Sequence, residues 1–297
     1  MSPIDLTFDD FWASVSPHHG AGLLGFSIAP EEGERFDFVR GVAVDQVSQP
    51  TDLGAFLLAP FSNRIGNAQF VFDGATVQLA ANFRDEPHAI HGVAWQKPFD
   101  VTAQDAASVS LLLKHTADAS WPWNIEVRAR YALDSSGLKC ELVVRNCDAR
   151  AMPAGLGFHP YFPRARQTHL KTDADAVVAN GGDMLPTGLD RGHPVLETLR
   201  HGGALTLGVD NGLSGWREPA MITWPDAGWS LAIATQPATS WAVLYTPEDS
   251  EAFCFEPVTH QTNAVNGALP SVEDNGLRVL EPGRSMTLQL LLSPSRC

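Results

Sequence analysis

The alternation that begins at Ile125 constrains this chain more than any other feature. Ile125, Val127, Ala129 and Tyr131 interleave with Glu126, Arg128 and Arg130. A period of two describes a β-strand with one apolar and one wetted face. Asp134-Ser135-Ser136-Gly137 then turns the chain into a second β-prone run, residues 138–144. The same grammar recurs. Phe70-Val71-Phe72 and Ala75-Thr76-Val77-Gln78-Leu79 flank Asp73-Gly74, the strongest short-range hairpin signal. Met221-Ile222-Thr223-Trp224 and Trp229-Ser230-Leu231-Ala232-Ile233 flank Pro225-Asp226-Ala227-Gly228. Near the end, residues 277–280 and 285–292 flank Pro282-Gly283, and Met286, Leu288, Leu290 and Leu292 share one face of the last run. Long helical periodicity is scarce. Repeated hairpins with Gly, Pro and Asp turns predict an all-β fold, an antiparallel sandwich or barrel with few short helices. No clear linker interrupts the pattern, so residues 1–297 are expected to form a single domain.

Composition narrows the function classes. With 44% hydrophobic residues in 297, the chain can bury a large core. The net charge of -14 repels phosphate backbones, so nucleic acid is not an expected partner. No stretch reaches the length of a membrane span, so no membrane partner is expected either. Asp5, Asp9 and Asp10 stand where a secretory signal would carry Lys or Arg and an apolar run. Cys140, Cys147, Cys254 and Cys297 are scattered, with no CxxC pair, which reads as free thiols in a reducing cytoplasm. Eight tryptophans can fill a core or stack on sugar faces. Parallel βαβ signals are few and GxxxxGK[ST] does not occur, so no phosphate loop is expected.

Five polar clusters stand out against this β background. In Gly155-Leu156-Gly157-Phe158-His159-Pro160-Tyr161-Phe162, proline holds His159 extended and Phe158, Tyr161 and Phe162 are expected to wall it. It reads either as a proton donor in a sugar-sized pocket or as a packed histidine at a strand end. In Phe253-Cys254-Phe255-Glu256-Pro257-Val258-Thr259-His260, Glu256 sits in an apolar strand-like run. Desolvation raises the pKa of such a carboxylate and suits it to accepting a proton. The alternative is a buried glutamate paired with an arginine. Arg64, in Asn63-Arg64-Ile65-Gly66-Asn67, offers a planar donor fork to hydroxyls or to a structural carboxylate partner. His88 and His91 lie three apart, which on a strand points them to opposite faces, and no neighbouring acid or thiol completes a metal set. Asp210, followed by Asn211-Gly212, has the chemistry of a turn. No GxSxG elbow supports serine hydrolysis.

These stretches, in this order, resemble the aldose 1-epimerase family, the galactose mutarotases. The resemblance begins at Val15-Ser16-Pro17-His18-His19-Gly20 and continues through Pro60-Phe61-Ser62-Asn63-Arg64-Ile65, Ile90-His91-Gly92 and His159-Pro160-Tyr161-Phe162. Leu185-Pro186-Thr187-Gly188, Asp210-Asn211-Gly212, Tyr245-Thr246-Pro247 and Glu256-Pro257-Val258-Thr259 complete it. It implies a large antiparallel β-sandwich and cofactor-free interconversion of the α and β anomers of a free sugar, by a monomer or homodimer. By the same resemblance, Glu256 is the general base at the C1 hydroxyl and His159 the acid at the ring oxygen. His91 assists at that oxygen or holds a hydroxyl, and Arg64, Asn63 and Asp210 bind hydroxyls. Val93 stands where a second glycine often follows the family's His-Gly, and the region after Asp210 departs from the best-studied galactose enzymes. Two rival classes are a non-catalytic carbohydrate-binding protein on the same scaffold and a metal-dependent sugar isomerase.

Overall fold

The computed structural model describes residues 2–29, 34–267, 269, 270 and 272–297. Two large antiparallel sheets dominate it, one of eleven strands and one of eight. The expected hairpin Ile125–Asp134 and Gly137–Asn146 lies in the eight-stranded sheet, in register from Ile125 opposite Asn146 to Asp134 opposite Gly137. Ile125, Val127, Ala129, Tyr131 and Leu133 are all buried, while Arg128 and Arg130 are exposed. Asp134 closes the turn by accepting the Ser136 backbone N–H at 2.8 Å. Gly137 has φ +116°, and a Cβ there would meet the Leu292 carbonyl oxygen at 2.3 Å, so the turn admits only glycine. The other expected hairpins form as well, Gln69–Phe72 with Ala75–Gln78 and Arg217–Trp224 with Trp229–Gln236.

One expectation changes. The runs flanking Pro282-Gly283 do not pair with each other. Arg278–Leu280 pairs with Met152–Ala154, whereas Ser285–Arg296 is inserted between Gly137–Asn146 and Trp229–Gln236. The long last strand satisfies its backbone groups on both sides this way, which a three-residue neighbour cannot offer.

A continuous apolar cluster lies between the sheets and draws on both, for example Phe158, Phe162, Phe253 and Phe255 from one and Val127, Leu142 and Leu290 from the other. A second, smaller cluster lies on the opposite face of the eleven-stranded sheet, where Phe56, Leu58, Val243 and Val258 meet Ile90 and Trp95 from the loops. Strand alternation produces this division. Successive residues of one strand serve the inter-sheet core and the loop-covered face in turn. Among the described residues there is one α-helix, Pro194–His201, which buries Val195, Leu196 and Leu199 and ends at Gly202 with φ +70°. No helix of the described residues is long and apolar enough to cross a membrane. All four cysteines are free, Cys140 and Cys254 buried, Cys147 and Cys297 exposed.

Candidate active site

The loop-covered face of the larger sheet carries two adjacent rows of side chains. Strand register creates both. In the first row, Phe56 of Ala55–Leu58 pairs with His159 of Gly157–Pro163. Glu256 of Ala252–Val258 pairs with Val243 of Trp241–Thr246, and Val243 with Gly212 of Val209–Ser214. The pairs Gly157–Val258 and Tyr161–Cys254 bracket His159 and Glu256, which therefore face each other. The second row lies one pleat away, Tyr161 opposite Cys254, Cys254 opposite Tyr245 and Tyr245 opposite Asp210. Residues 97 apart in sequence are thus neighbours because their strands are.

The same alternation corrects the walls expected for His159. Phe158 and Phe162 point away from it into the inter-sheet core. Only Tyr161 shares its face, tilted against the imidazole at 5.0 Å between ring centroids. Phe56, which the sequence did not single out, supplies the stacked wall at 4.2 Å and 26°. Asp210 is also corrected. It lies within a strand, not in a turn, because pairing of Val209–Ser214 with Trp241–Thr246 overrides the local turn chemistry of Asp-Asn-Gly.

His159 Nε2 lies 3.2 Å from Glu256 Oε1, with the two side chains 10% and 4% exposed. Burial raises the Glu256 pKa well above its ordinary value, the nearby Asp210 charge adding to the rise and Arg64 opposing it. Burial also pushes the His159 imidazole down to about 3, and the Arg40 guanidinium acts in the same direction. Both shifts disfavour ions, so burial favours a protonated carboxyl beside a neutral imidazole. Its single proton separates that state from a carboxylate beside an imidazolium. His159 Nδ1 is buried without a hydrogen-bond partner.

Loops roof this floor. Arg64–Ile65 pairs with Ala89–Ile90, which brings Asn63 and His91 together. His91 has φ +60°, and its Nδ1 accepts the Asn63 backbone N–H at 3.1 Å. Burial lowers its pKa well below the usual value, with His159 and Arg64 contributing. A neutral ring that accepts at Nδ1 carries its proton on Nε2. His91 is therefore a hydrogen-bond donor toward the cavity. His88 does not join it: its Nδ1 accepts the Asn67 N–H at 3.0 Å and its Nε2 lies 3.1 Å from the Asp183 carbonyl. The two histidines hold different loops.

Arg64 realises both readings left open for it. Its Nε and Nη2 donate to Glu86 at 2.8 and 3.0 Å, and it also lines the cavity. The arginine's hydrogen bonds hold the Glu86 carboxyl below its usual pKa, against the opposing effect of burial. Asn63, with φ +54°, turns its side-chain oxygen back to the Arg64 N–H at 2.8 Å, leaving its amide NH2 for a ligand. Burial raises the Asp210 pKa, with Arg64 opposing.

The cavity enclosed by floor and roof measures about 180 Å³, and Glu256, His159, His91, Arg64, Asn63 and Asp210 all line it. Sequence reasoning missed Phe56, Phe83, Arg84, Glu86 and Trp95, which line it as well. Glu86 carries no motif of its own. Only a search for a partner to the cavity arginine finds it.

A family model described as Aldose 1-epimerase matches residues 5–293. The chain is 26% identical over 257 residues to the Escherichia coli protein YphB, spanning 82% of this chain and 84% of that one. It is 35% identical over 133 residues to a maltose epimerase of Levilactobacillus brevis, 38% of this chain and 35% of that one. A galactose mutarotase-like protein of Clostridium acetobutylicum superposes with a TM-score of 0.87 at 20% identity, covering 99% of this chain and 95% of that one.

Proposed function

Since the chain belongs to the aldose 1-epimerase family, we propose that it interconverts the α and β anomers of a free aldose by ring opening and reclosure at the His159–Glu256 pair. The observation that carries this reading is the 3.2 Å contact between the two groups on the floor of one cavity. The exchanged oxygens of a pyranose, the C1 hydroxyl and the ring oxygen, share one carbon. An acid and a base that touch can therefore serve both.

Mutarotation needs one proton taken and one given. With Glu256 as carboxylate and His159 as imidazolium, Glu256 accepts the C1 hydroxyl proton and the C1–O5 bond breaks. His159 donates to O5 as it leaves. The pair then holds the protonated carboxyl and neutral imidazole, the state that burial favours. Rotation about C1–C2 presents the other carbonyl face. The reverse transfers close the ring and restore the starting charges, so one turnover consumes nothing. Burial places the working ions uphill and the proton-transferred pair downhill, which assists the opening step.

His91, neutral with its proton on Nε2, is suited to donate a hydrogen bond to the ring oxygen or a hydroxyl but not to supply a second transferable proton. The Asn63 amide, the Arg64 guanidinium and the Asp210 carboxylate hold hydroxyls. The charge around the cavity favours a free sugar over a sugar phosphate. Glu86 and Asp210 line it against Arg64 and Arg84, and Arg64 is already engaged by Glu86, so the lining carries no basic excess for a phosphate. One apolar cluster draws on both large sheets, which supports treating residues 1–297 as a single domain.

The test is polarimetry or exchange NMR on freshly dissolved α-glucose, α-galactose, L-arabinose and maltose. Acceleration of at least one is expected. Binding of these sugars with no acceleration of any would replace the enzyme by a carbohydrate-binding protein, and unchanged activity after chelation excludes a metal-dependent isomerase.

A further inference from the structure

Cys254 has no part in the proton transfers, yet it lies beside them. It precedes Glu256 by two on the same strand, so both side chains emerge on one face. His159 reaches that face from the neighbouring strand. The ligand-capable atoms of His159, Cys254 and Glu256 all lie within 4.8 Å of one another, and all three residues are buried. We propose that these three residues form a binding site for a thiophilic divalent cation, Zn²⁺ above all, and that the cation inhibits the enzyme by occupying the acid–base pair.

The donor set fits such an ion. Zn²⁺ takes sulfur at about 2.3 Å and nitrogen or oxygen at about 2.0–2.2 Å in a tetrahedron, so its donors stand roughly 3.3–3.7 Å apart. His159 Nε2 and Glu256 Oε1 are already 3.2 Å apart. The Cys254 thiol, within 4.8 Å of both, completes the face by moving toward them. One thiolate, one carboxylate and one neutral imidazole balance the dication, which removes the main penalty for burying it. The thiol proton and the Glu256 carboxyl proton are both released on binding. The fourth position opens on the cavity, where water or a sugar hydroxyl completes the shell. A hard cation such as Mg²⁺ has no use for the sulfur and prefers six oxygens.

The site is built to be blocked and not to hold a resident metal. A histidine that ligates a permanent zinc ordinarily donates its other N–H to a carbonyl or carboxylate. Nδ1 of His159 is buried with no partner. The loaded site has its acid and base both committed to the ion, so occupancy and mutarotation exclude each other. The inhibitory half of the proposal rests on the catalytic reading above, and the binding half does not.

The experiment uses the full chain carrying Cys147→Ser and Cys297→Ser, which removes the two exposed thiols. Cobalt(II) is titrated in and the near-ultraviolet thiolate-to-cobalt charge-transfer band is followed, then Zn²⁺ is used to displace it. One equivalent of cobalt with a thiolate band is expected, abolished by Cys254→Ser and by Cys254→Ala. In parallel, Zn²⁺ should inhibit mutarotation of the parent, and either Cys254 variant should keep its activity while its inhibition constant rises at least about tenfold. No thiolate band, or a band unchanged in both variants, overturns the site. Equal Zn²⁺ inhibition of parent and variants overturns the role of the thiol. A Cys254-dependent band in a protein that accelerates no sugar upholds the metal site and removes the catalytic reading instead.

Discussion

His159 and His260 are both buried, and burial lowers both pKa values, to about 3 and about 4. Their surroundings differ in one respect. His260 is satisfied at both ring nitrogens: Nδ1 donates to the Gln261 carbonyl at 2.7 Å and Nε2 accepts the Ser62 N–H at 3.1 Å. Its ring also fills the space that a side chain at Gly155 would take, since a Cβ there would meet it at 1.9 Å. His159 has one nitrogen without a partner and the other against a carboxylate in an open cavity. Burial and a shifted pKa therefore do not separate the two. What separates them is whether the hydrogen-bonding capacity is used up by the fold or left for a ligand.

That contrast is broken most directly by substitution at both histidines. Glu256→Gln and His159→Asn are each expected to lower kcat by about 10²–10⁴-fold, the usual worth of a general acid or base, with an unchanged circular dichroism spectrum. His260→Ala should do the reverse. It strands the Ser62 N–H, which costs about 1–3 kcal/mol of stability, while kcat falls far less than in the other two. Near-full activity in His159→Asn would make the two histidines the same kind of residue.

A smaller effect is expected where the site meets its roof. Arg64→Lys keeps the charge but loses the two-pronged contact with Glu86, because an ammonium presents no planar fork. KM for the best sugar should rise roughly tenfold, about 1.4 kcal/mol of uniform binding, with kcat little altered. A kcat loss as large as that of Glu256→Gln, measured in the same assay, would move Arg64 from holding the sugar to the chemistry.

How much of this was legible in the sequence follows from the range of the interactions. The hairpins at Asp73-Gly74 and Asp134–Gly137 depend on a turn and its flanking alternation, and they form where expected. So does the strand around Glu256, because its apolar run is local. The partner of residues 278–280 was not legible, since no local signal tells a short strand that it pairs with Met152–Ala154. The two rows of the floor are a property of register across five strands, and register is set by tertiary packing. Period two did carry the information that Phe158 and Phe162 face away from His159. Proline and the aromatic run drew attention to neighbours in sequence, where neighbours in space were needed. Glu86 sits in a polar loop that gives no sign of use, and its part exists only through Arg64.

The smallest expected effect concerns pH, and it sharpens the comparison because the two members of the pair act with opposite sign. A histidine whose pKa is lowered by folding binds its proton more readily unfolded, so stability is lost as pH falls below about 6.5. His159 and His260 both act this way, down to about 3 and about 4. Glu256, raised by burial, holds its proton more tightly folded. Its contribution is complete below the usual carboxylate range and is lost as pH rises toward its folded value. Melting temperatures of the parent and of Glu256→Gln, taken from pH 5 to pH 8, should therefore diverge in favour of the variant as pH rises. His159→Asn should instead gain on the parent as pH falls from 6.5 toward 4, and so should a His260 variant once its constant loss from the stranded Ser62 N–H is subtracted. The alkaline gain belongs to Glu256 alone. A pH-independent offset in Glu256→Gln would mean that the carboxyl is ionised in the resting protein, balanced by an imidazolium at His159, and that the working ions are the ground state of the pair.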